Sequence, residues 1–438
     1  MRTACSEEKR VKIRESMRAT KEKRSRQKCR VFKVKIDESK LSKKQKTELK
    51  MMFVEGKWIK NSRIAWARDN GKSIFECTRP LKHEIVQVRT KDGTFEGREL
   101  KYIGSQMAQQ VVDEMKSNLK TIMRLQSKGL QRGGELRFIS ELKSLNLPQY
   151  GTTYKFTSSR KMRIQGVSGR VYVSGAGQFI GNDDIEIASA KLLNTRCGYY
   201  IAVTTFTFHD RLPTKPKNGK SIALDLGCAS TVTYSDGRKT TVLVEESERL
   251  RRLQRELARR TKRSNNWLRT QRRIGREYEK MTNRKNDAAN KIVAELKSYD
   301  NVILQDEQLA HWHKTGHGKK VQHSILGRLK TKIMALDNAI VLARDIPTTK
   351  ICMDCGRVHD MPVSRRQFKC QCGATGDRDV HAAENMLRIA EMCLGKKMSV
   401  PAGRREFTRE EFLNAYRERF SADYGTLNHE ADRASARR

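Results

Sequence analysis

Four cysteines of this 438-residue chain fall within a span of 21 residues: Cys352 and Cys355 as C-x2-C, then Cys370 and Cys372 as C-x-C, with fourteen residues between the pairs. Thiolates so spaced can close a tetrahedral Zn²⁺ site between two knuckles, and segment 350–376 is too poor in apolar residues to fold without one. The second pair is one residue shorter than the usual C-x2-C, which leaves His359 as an alternative ligand. Four protein ligands leave no open position for a substrate, so the site reads as structural. The other six cysteines, Cys5, Cys29, Cys77, Cys197, Cys228 and Cys393, are scattered and read as free thiols rather than a disulfide framework.

Three carboxylates carry a different chemistry. Asp225 ends the apolar run "SIALD", Glu307 ends "NVILQDE", and Asp379 opens a helix directly after the second knuckle. Acids at the ends of separate elements of an α/β domain can hold two Mg²⁺ ions for phosphodiester hydrolysis, because Mg²⁺ takes hard oxygen ligands and keeps much of its water. Taken singly, each acid also has a plainer role, as a turn cap, a solvated strand end and a helix N-cap respectively.

The elements that would position these residues can be read from periodicity and punctuation. Residues 1–30 are basic and aperiodic, the pattern of a disordered arm that could lie along phosphates. "RVFKVKI" alternates like a strand, whereas from Lys43 to about Gly129 apolar residues return at helical spacing. Gly133 and Gly134 close that stretch. The alternating, Thr- and Val-rich segments "YKFTSSRKMRIQGVSGRVYVSGAGQFI" and "GYYIAVTTFTF" follow, so the expected first half is a small β-barrel with the helices inserted into it. "HDRLPTKPKNGK", residues 209–220, reads as a linker. Beyond it lie a strand ending at Asp225, a hairpin turning at Asp236-Gly237, two long basic helices over about 245–298 and a buried strand at 301–307. A helix over Ser324–Arg344, the cysteine segment, a helix from about Val380 and a charged tail from Pro401 complete the chain.

Charge restricts the partner. The 91 Lys and Arg against 50 Asp and Glu give a formal net charge of +41, and repulsion on that scale is best tolerated beside a polyanion. Fifteen of the basic residues lie between Arg249 and Lys285, more than the few Glu residues there can neutralise by i,i+4 pairing, which favours a phosphate-facing helical hairpin. No apolar stretch of signal-peptide length opens the chain and no window approaches a membrane span. The expectation is a cytoplasmic protein, nucleoid-associated when on DNA, without a membrane partner and monomeric.

The motifs "ALDLG" (223–227), "VILQDEQL" (302–309), "CMDCG", "FKCQCG" and "DRDVHAAENM" (377–386) resemble those of TnpB, the transposon-encoded RNA-guided nuclease family ancestral to compact type V CRISPR effectors. "IQGVSGRVYV" and "ASAKLLNTRCGYYIAVTTF" resemble the family's barrel, so the likeness runs from about residue 31 to 400. It implies an α+β multidomain chain. A wedge or OB-like β-barrel (31–42 and 135–208) would carry an inserted helical recognition subdomain (43–134). An RNase H-like, RuvC-type α/β domain (221–346 and 377–400) would carry an inserted zinc ribbon (347–376), with 1–30 as a flexible arm and 401–438 as a tail. The resemblance further implies Asp225 and Asp379 as the first and third catalytic acids. Zinc would sit on Cys352, Cys355, Cys370 and Cys372, and two Mg²⁺ on the acids, one activating the attacking water and one stabilising the leaving 3′ oxygen. A guide RNA would pair with one strand of double-stranded DNA next to a short motif. The family's second motif commonly ends E-D-L, which would put its glutamate at the position of Gln305. Strand alternation sets Glu307 on the face of Gln305 and Asp306 opposite, so Glu307 is the expected second acid. His381 stands where the family usually has asparagine. Three other readings compete: a guided DNA-binding repressor that no longer cuts, a CRISPR-associated compact type V effector, and a transposase or junction resolvase working without RNA.

Overall fold

The computed structural model describes residues 7–90, 92–130, 134–212, 216–312, 318–362, 364–395 and 404–420. Cys5, the first residues of the arm and the tail from 421 lie outside the described residues. The chain divides into two compact units, Met1–Pro213 and Thr214–Arg438.

In the first unit, helix α1 (Glu7–Ser25) leads into strand β1 (Gln27–Ile36) and helix α2 (Lys43–Asp69). Then come β2 (Ile85–Arg89), β3 (Phe95–Glu99), helix α3 (Ser105–Ser127) and β4 (Ser144–Leu147). Strands β5 (Tyr154–Ser158), β6 (Lys161–Ile164), β7 (Val171–Ser174), β8 (Glu186–Thr195) and β9 (Gly198–Phe208) follow. Seven of the strands form one sheet in the order β4-β8-β9-β1-β7-β6-β5, nearly closed into a barrel. Val34 and Ile36 of β1 point inward while Lys33 and Lys35 point out, the alternation that a one-sided sheet requires. The inner face continues into Leu49, Met52 and Ile59 of α2 and Met107 and Val112 of α3 without a break, so sheet and helices share one core. Ser42 and Gln45 form a capping box that starts α2.

Two expectations fail in this unit. Residues 7–25, read as a disordered arm, form α1. The segment lacks Gly and Pro and is rich in Glu, Lys and Arg, good helix formers, but because it buries no apolar stripe it showed no period. Arg24 ties its end to Glu186 with two hydrogen bonds, at 2.8 and 3.1 Å, and lies over the Phe206 ring. The stretch 43–134, read as helical, also contains the antiparallel β2–β3 hairpin.

The second unit opens with β10 (Ser221–Asp225), β11 (Val232–Tyr234) and β12 (Lys239–Thr240), the last two joined through Asp236 and Gly237, whose φ of +86° suits glycine. Helices α4 (Glu248–Ala258) and α5 (Asn265–Leu296) form the basic hairpin, clasped by Leu250, Leu253 and Ile274. Next are β13 (Asn301–Gln305), the short helices α6 (Leu309–Trp312), α7 (Gly318–His323) and α8 (Leu326–Ile333), and β14 (Ala339–Leu342). Strands β15 (Gln367–Lys369) and β16 (Thr375–Asp377), helix α9 (Arg378–Leu394), β17 (Arg405–Phe407) and helix α10 (Arg409–Phe420) complete it. The main sheet runs β12-β11-β10-β13-β14-β17, antiparallel up to β10 and parallel from β10 to β17.

Helices cover both faces of this sheet. Ile222, Leu224, Val302 and Leu304 pack with α5 and α8, whereas Ala223, Ile303 and Ile340 pack with α9 and α10. A strand covered on both faces reads as a continuous apolar run, which explains "NVIL" and "AIVL". It also explains a correction: the helix expected over 324–344 is α8 followed by β14, since a short, fully buried strand cannot be told from a buried helix by period alone. The segment read as a charged tail supplies β17 and α10, whose buried Phe407, Phe412 and Tyr416 are few among many charges.

Candidate active site and zinc ribbon

Strand parity sends Asp225 toward α9. Ala223 faces that helix, so Asp225, two residues further along β10, does too. The first turn of α9 lies there, with Asp377 as its N-cap, accepting the N–H groups of Asp379 and Val380 at 3.0 and 3.2 Å. Asp377 in turn meets Lys239 at 2.8 Å. Burial, then the neighbouring carboxylates of Asp379 and Glu307, push the Asp225 carboxyl up to about 7, with Arg378 acting the other way. Burial also raises Glu307, opposed by Lys330. Parallel pairing of β10 with β13, and packing of α9 on β10, set the three acids singled out in the sequence at one end of the sheet, while the metal-type cluster among the described residues is that of the four cysteines. Hard oxygen donors with mutually unfavourable negative charge are the donor set a divalent cation would stabilise, so the residues fit magnesium.

The second acid lies beyond the end of its strand. β13 ends at Gln305, and beyond it the Glu307 N–H donates to the Gln305 carbonyl at 3.0 Å, a tight turn. Strict alternation does not extend to Glu307. Gln305 points inward, where its amide donates to the carbonyls of Ala343, Arg344 and Ile346 at 3.1, 3.1 and 2.7 Å and accepts the Thr348 hydroxyl at 2.8 Å. Asp306 turns to Lys330 at 2.6 Å, and the same ammonium donates to the Glu307 carbonyl at 2.6 Å. Asp306 is thus engaged by Lys330, whereas the Lys330 bond at 307 goes to the backbone carbonyl of Glu307.

The ribbon is assembled from the two knuckles and the β15–β16 hairpin. Its four sulfurs lie within 4.8 Å of one another, with Cys352 and Cys372 at 3.6 Å and Cys355 and Cys370 at 3.5 Å. A tetrahedron of sulfurs 2.3 Å from zinc has edges of about 3.8 Å, so the cluster fits zinc. The Ala374 N–H, followed by Cys370, pulls the Cys372 thiol down to about 7, toward the thiolate a metal needs. His359, the alternative ligand, lies beside Cys370 at 3.2 Å and edge-on to Phe368 and is not needed to complete the set of four. Gly356 closes the first knuckle at φ +76°, and a Cβ there would strike Tyr416 and Phe420 of α10. The Tyr416 hydroxyl donates to the Gly356 carbonyl.

His381 stacks on Phe368 at 3.6 Å and hydrogen-bonds the Ile351 carbonyl at 3.0 Å, so in its unusual position it ties α9 to the ribbon. Burial holds its imidazole below the usual value. Asn385, one turn on, donates to the carbonyls of Thr348 and Ile351 at 2.8 and 2.7 Å. Sequence reading missed Thr348, Asn385, Lys330 and Tyr416. The one available signal was "HAAEN", where His381 and Asn385 stand four apart on one helix face.

A mixed sheet with acids at its strand ends, and a cysteine ribbon leading into the helix that bears the last of them, defines a metal-binding α/β protein of the zinc-ribbon type. A family model described as "Probable transposase" (OrfB_IS605) matches residues 202–306, and a model of the Cas12f1-like TNB domain matches residues 327–386. Among curated proteins, a "Putative RNA-guided DNA endonuclease" of Streptomyces pristinaespiralis is 29% identical over 192 residues, 41% of this chain and 47% of its own length. The "Putative RNA-guided DNA endonuclease InsQ" of Escherichia coli K12 is 27% identical over 235 residues, 48% of this chain and 58% of its own length. Through these matches the chain is similar to the TnpB family. It spans about half the length of the curated relatives it matches.

Proposed function

We propose that the protein is an RNA-guided DNA endonuclease that cuts at the cluster of Asp225, Glu307 and Asp379 in an RNase H-like, RuvC-type unit. The observation that carries the reading is that β10 and β13 end side by side with α9 packed on β10, which supports a shared site for Asp225, Glu307 and Asp379 at that end of the sheet. The antiparallel β12-β11-β10 edge continued by parallel strands, with helices on both faces, supports the RuvC-type assignment. Two Mg²⁺ held there would supply an activated water and stabilise the leaving 3′ oxygen. The chain's own residues have the remaining tasks. The three carboxylates orient the ions, Lys330 holds the Glu307 backbone, and Asp377 fixes the helix start that presents Asp379. The fifteen Lys and Arg between Arg249 and Lys285 neutralise phosphates of the guide or heteroduplex. Base pairing reads the target sequence, while the protein reads duplex shape and backbone charge.

The test is guide-directed cleavage of plasmid DNA in Mg²⁺ by the wild type, Asp225→Ala and Glu307→Ala. Cleavage by the wild type and its loss in both variants is expected. Undiminished cutting by Asp225→Ala would refute the assigned site, and tight guided binding by the wild type without nicking would select the non-cutting repressor.

A further inference from the structure

We infer that Gln305, Thr348 and Asn385 are positioning residues: a buried polar clamp through which the cysteine ribbon fixes Glu307 and Asp379 relative to each other. The inference rests on the proposed two-metal site. All three side chains are buried, at 5, 3 and 1% exposure. Gln305 stands two residues before Glu307, Asn385 six residues after Asp379 on the same helix, and Thr348 four residues before Cys352. The Thr348 hydroxyl donates to the Gln305 side chain, and the Thr348 carbonyl accepts from Asn385, so one threonine joins the strand exit to the helix. Asn385 also grips Ile351, the residue next to Cys352, and His381 shares that carbonyl while stacking on Phe368 of the ribbon hairpin.

The donor capacity of Gln305 is fully used. Its amide hydrogens face three backbone carbonyls and its oxygen takes the hydroxyl. A glutamate there would set a negative charge against those carbonyls with no donor to offer, and unsatisfied groups in such buried networks are costly. Position 305 is therefore occupied by structural work in this chain, and the acid is supplied two residues later.

The experiment uses the full-length, zinc-loaded protein and Mn²⁺ alone as probe, with binding followed by electron paramagnetic resonance. The wild type should bind Mn²⁺ in a manner lost in Asp225→Asn. Thr348→Val, which deletes the hydroxyl but keeps the shape, should bind Mn²⁺ about tenfold more weakly, at the lower end of what loss of an outer hydrogen-bond partner costs a metal site, with zinc content unchanged. Thr348→Ser should restore the affinity. Mn²⁺ affinity in Thr348→Val equal to the wild type, or equal weakening in Thr348→Ser, overturns the clamp while leaving the acid site standing. Absence of any Asp225-dependent Mn²⁺ binding in the wild type overturns the two-metal reading and the clamp together.

Discussion

Asp306 and Glu307 are adjacent carboxylates that the turn after β13 sends to different partners. Asp306 neutralises Lys330 at the surface, whereas Glu307 adds its charge to that around Asp225. If the proposed two-metal site holds, Glu307→Gln should lower cleavage by about 100-fold or more, since loss of a proposed direct ligand should exceed the 10–100-fold typical of an outer partner. Asp306→Asn should cost much less; single-turnover rates of the two variants check this, and a reversed ranking would move the second acid to 306. Gly356→Ala is a second expectation at this scale. The left-handed backbone and the contact with Tyr416 should cost roughly 1–3 kcal/mol of stability, read from denaturant midpoints. The cysteine cluster was legible because its thiols stand at the tips of two knuckles, and the three acids stood out because each lies at a change of pattern, the end of an apolar run or the start of a helix. The end of β13 at Gln305 was not legible, because nothing in "QDEQ" marks its last residue.

Helices and strands were legible to the extent that one of their faces is buried and the other is not. β1 and β9 alternate and were read as strands; α1, polar on every side, and β14, apolar on both faces, were misread for opposite reasons. β17 escaped notice because three residues are too few to show a period. The docking of α1 carries a pH prediction. Arg24, with help from Lys23 and Gln27, holds the Glu186 carboxyl at about 2, below its ordinary 4.5. A carboxyl depressed by folding contributes stability that is complete above the ordinary value and is lost as pH falls through the folded one. Hydrogen-exchange protection factors in α1, referred to the intrinsic rate at each pH, should therefore fall between about pH 4.5 and 2 in the wild type, while Glu186→Gln should show weaker protection already at neutral pH. Equal protection in both proteins at pH 7 would show that the pair does not anchor the helix.

Two units with separate cores should respond separately. Zinc sites of this kind contribute about 10–16 kcal/mol to folding in small domains, so chelation should lower the unfolding temperature of the second unit and leave that of the first unchanged in calorimetry; a parallel fall of both transitions would contradict the division. The net charge of +41 acts on the whole molecule. Affinity for RNA or DNA should drop by about 10³ or more between 50 and 200 mM salt, measured by filter binding, and a shallow slope would mean few phosphate contacts. Charge was the most legible property of all, since it needs no geometry. The Tyr416–Gly356 hydrogen bond and the pairing of β17 with β14 have a consequence for synthesis: the sheet margin and the first cysteine knuckle receive their supports from residues that leave the ribosome after everything they support. A nascent chain stopped before residue 404 would hold Asp225, Glu307, Asp379 and the four ribbon cysteines yet lack those braces, so maturation of the second unit waits for the synthesis of residues 404–420.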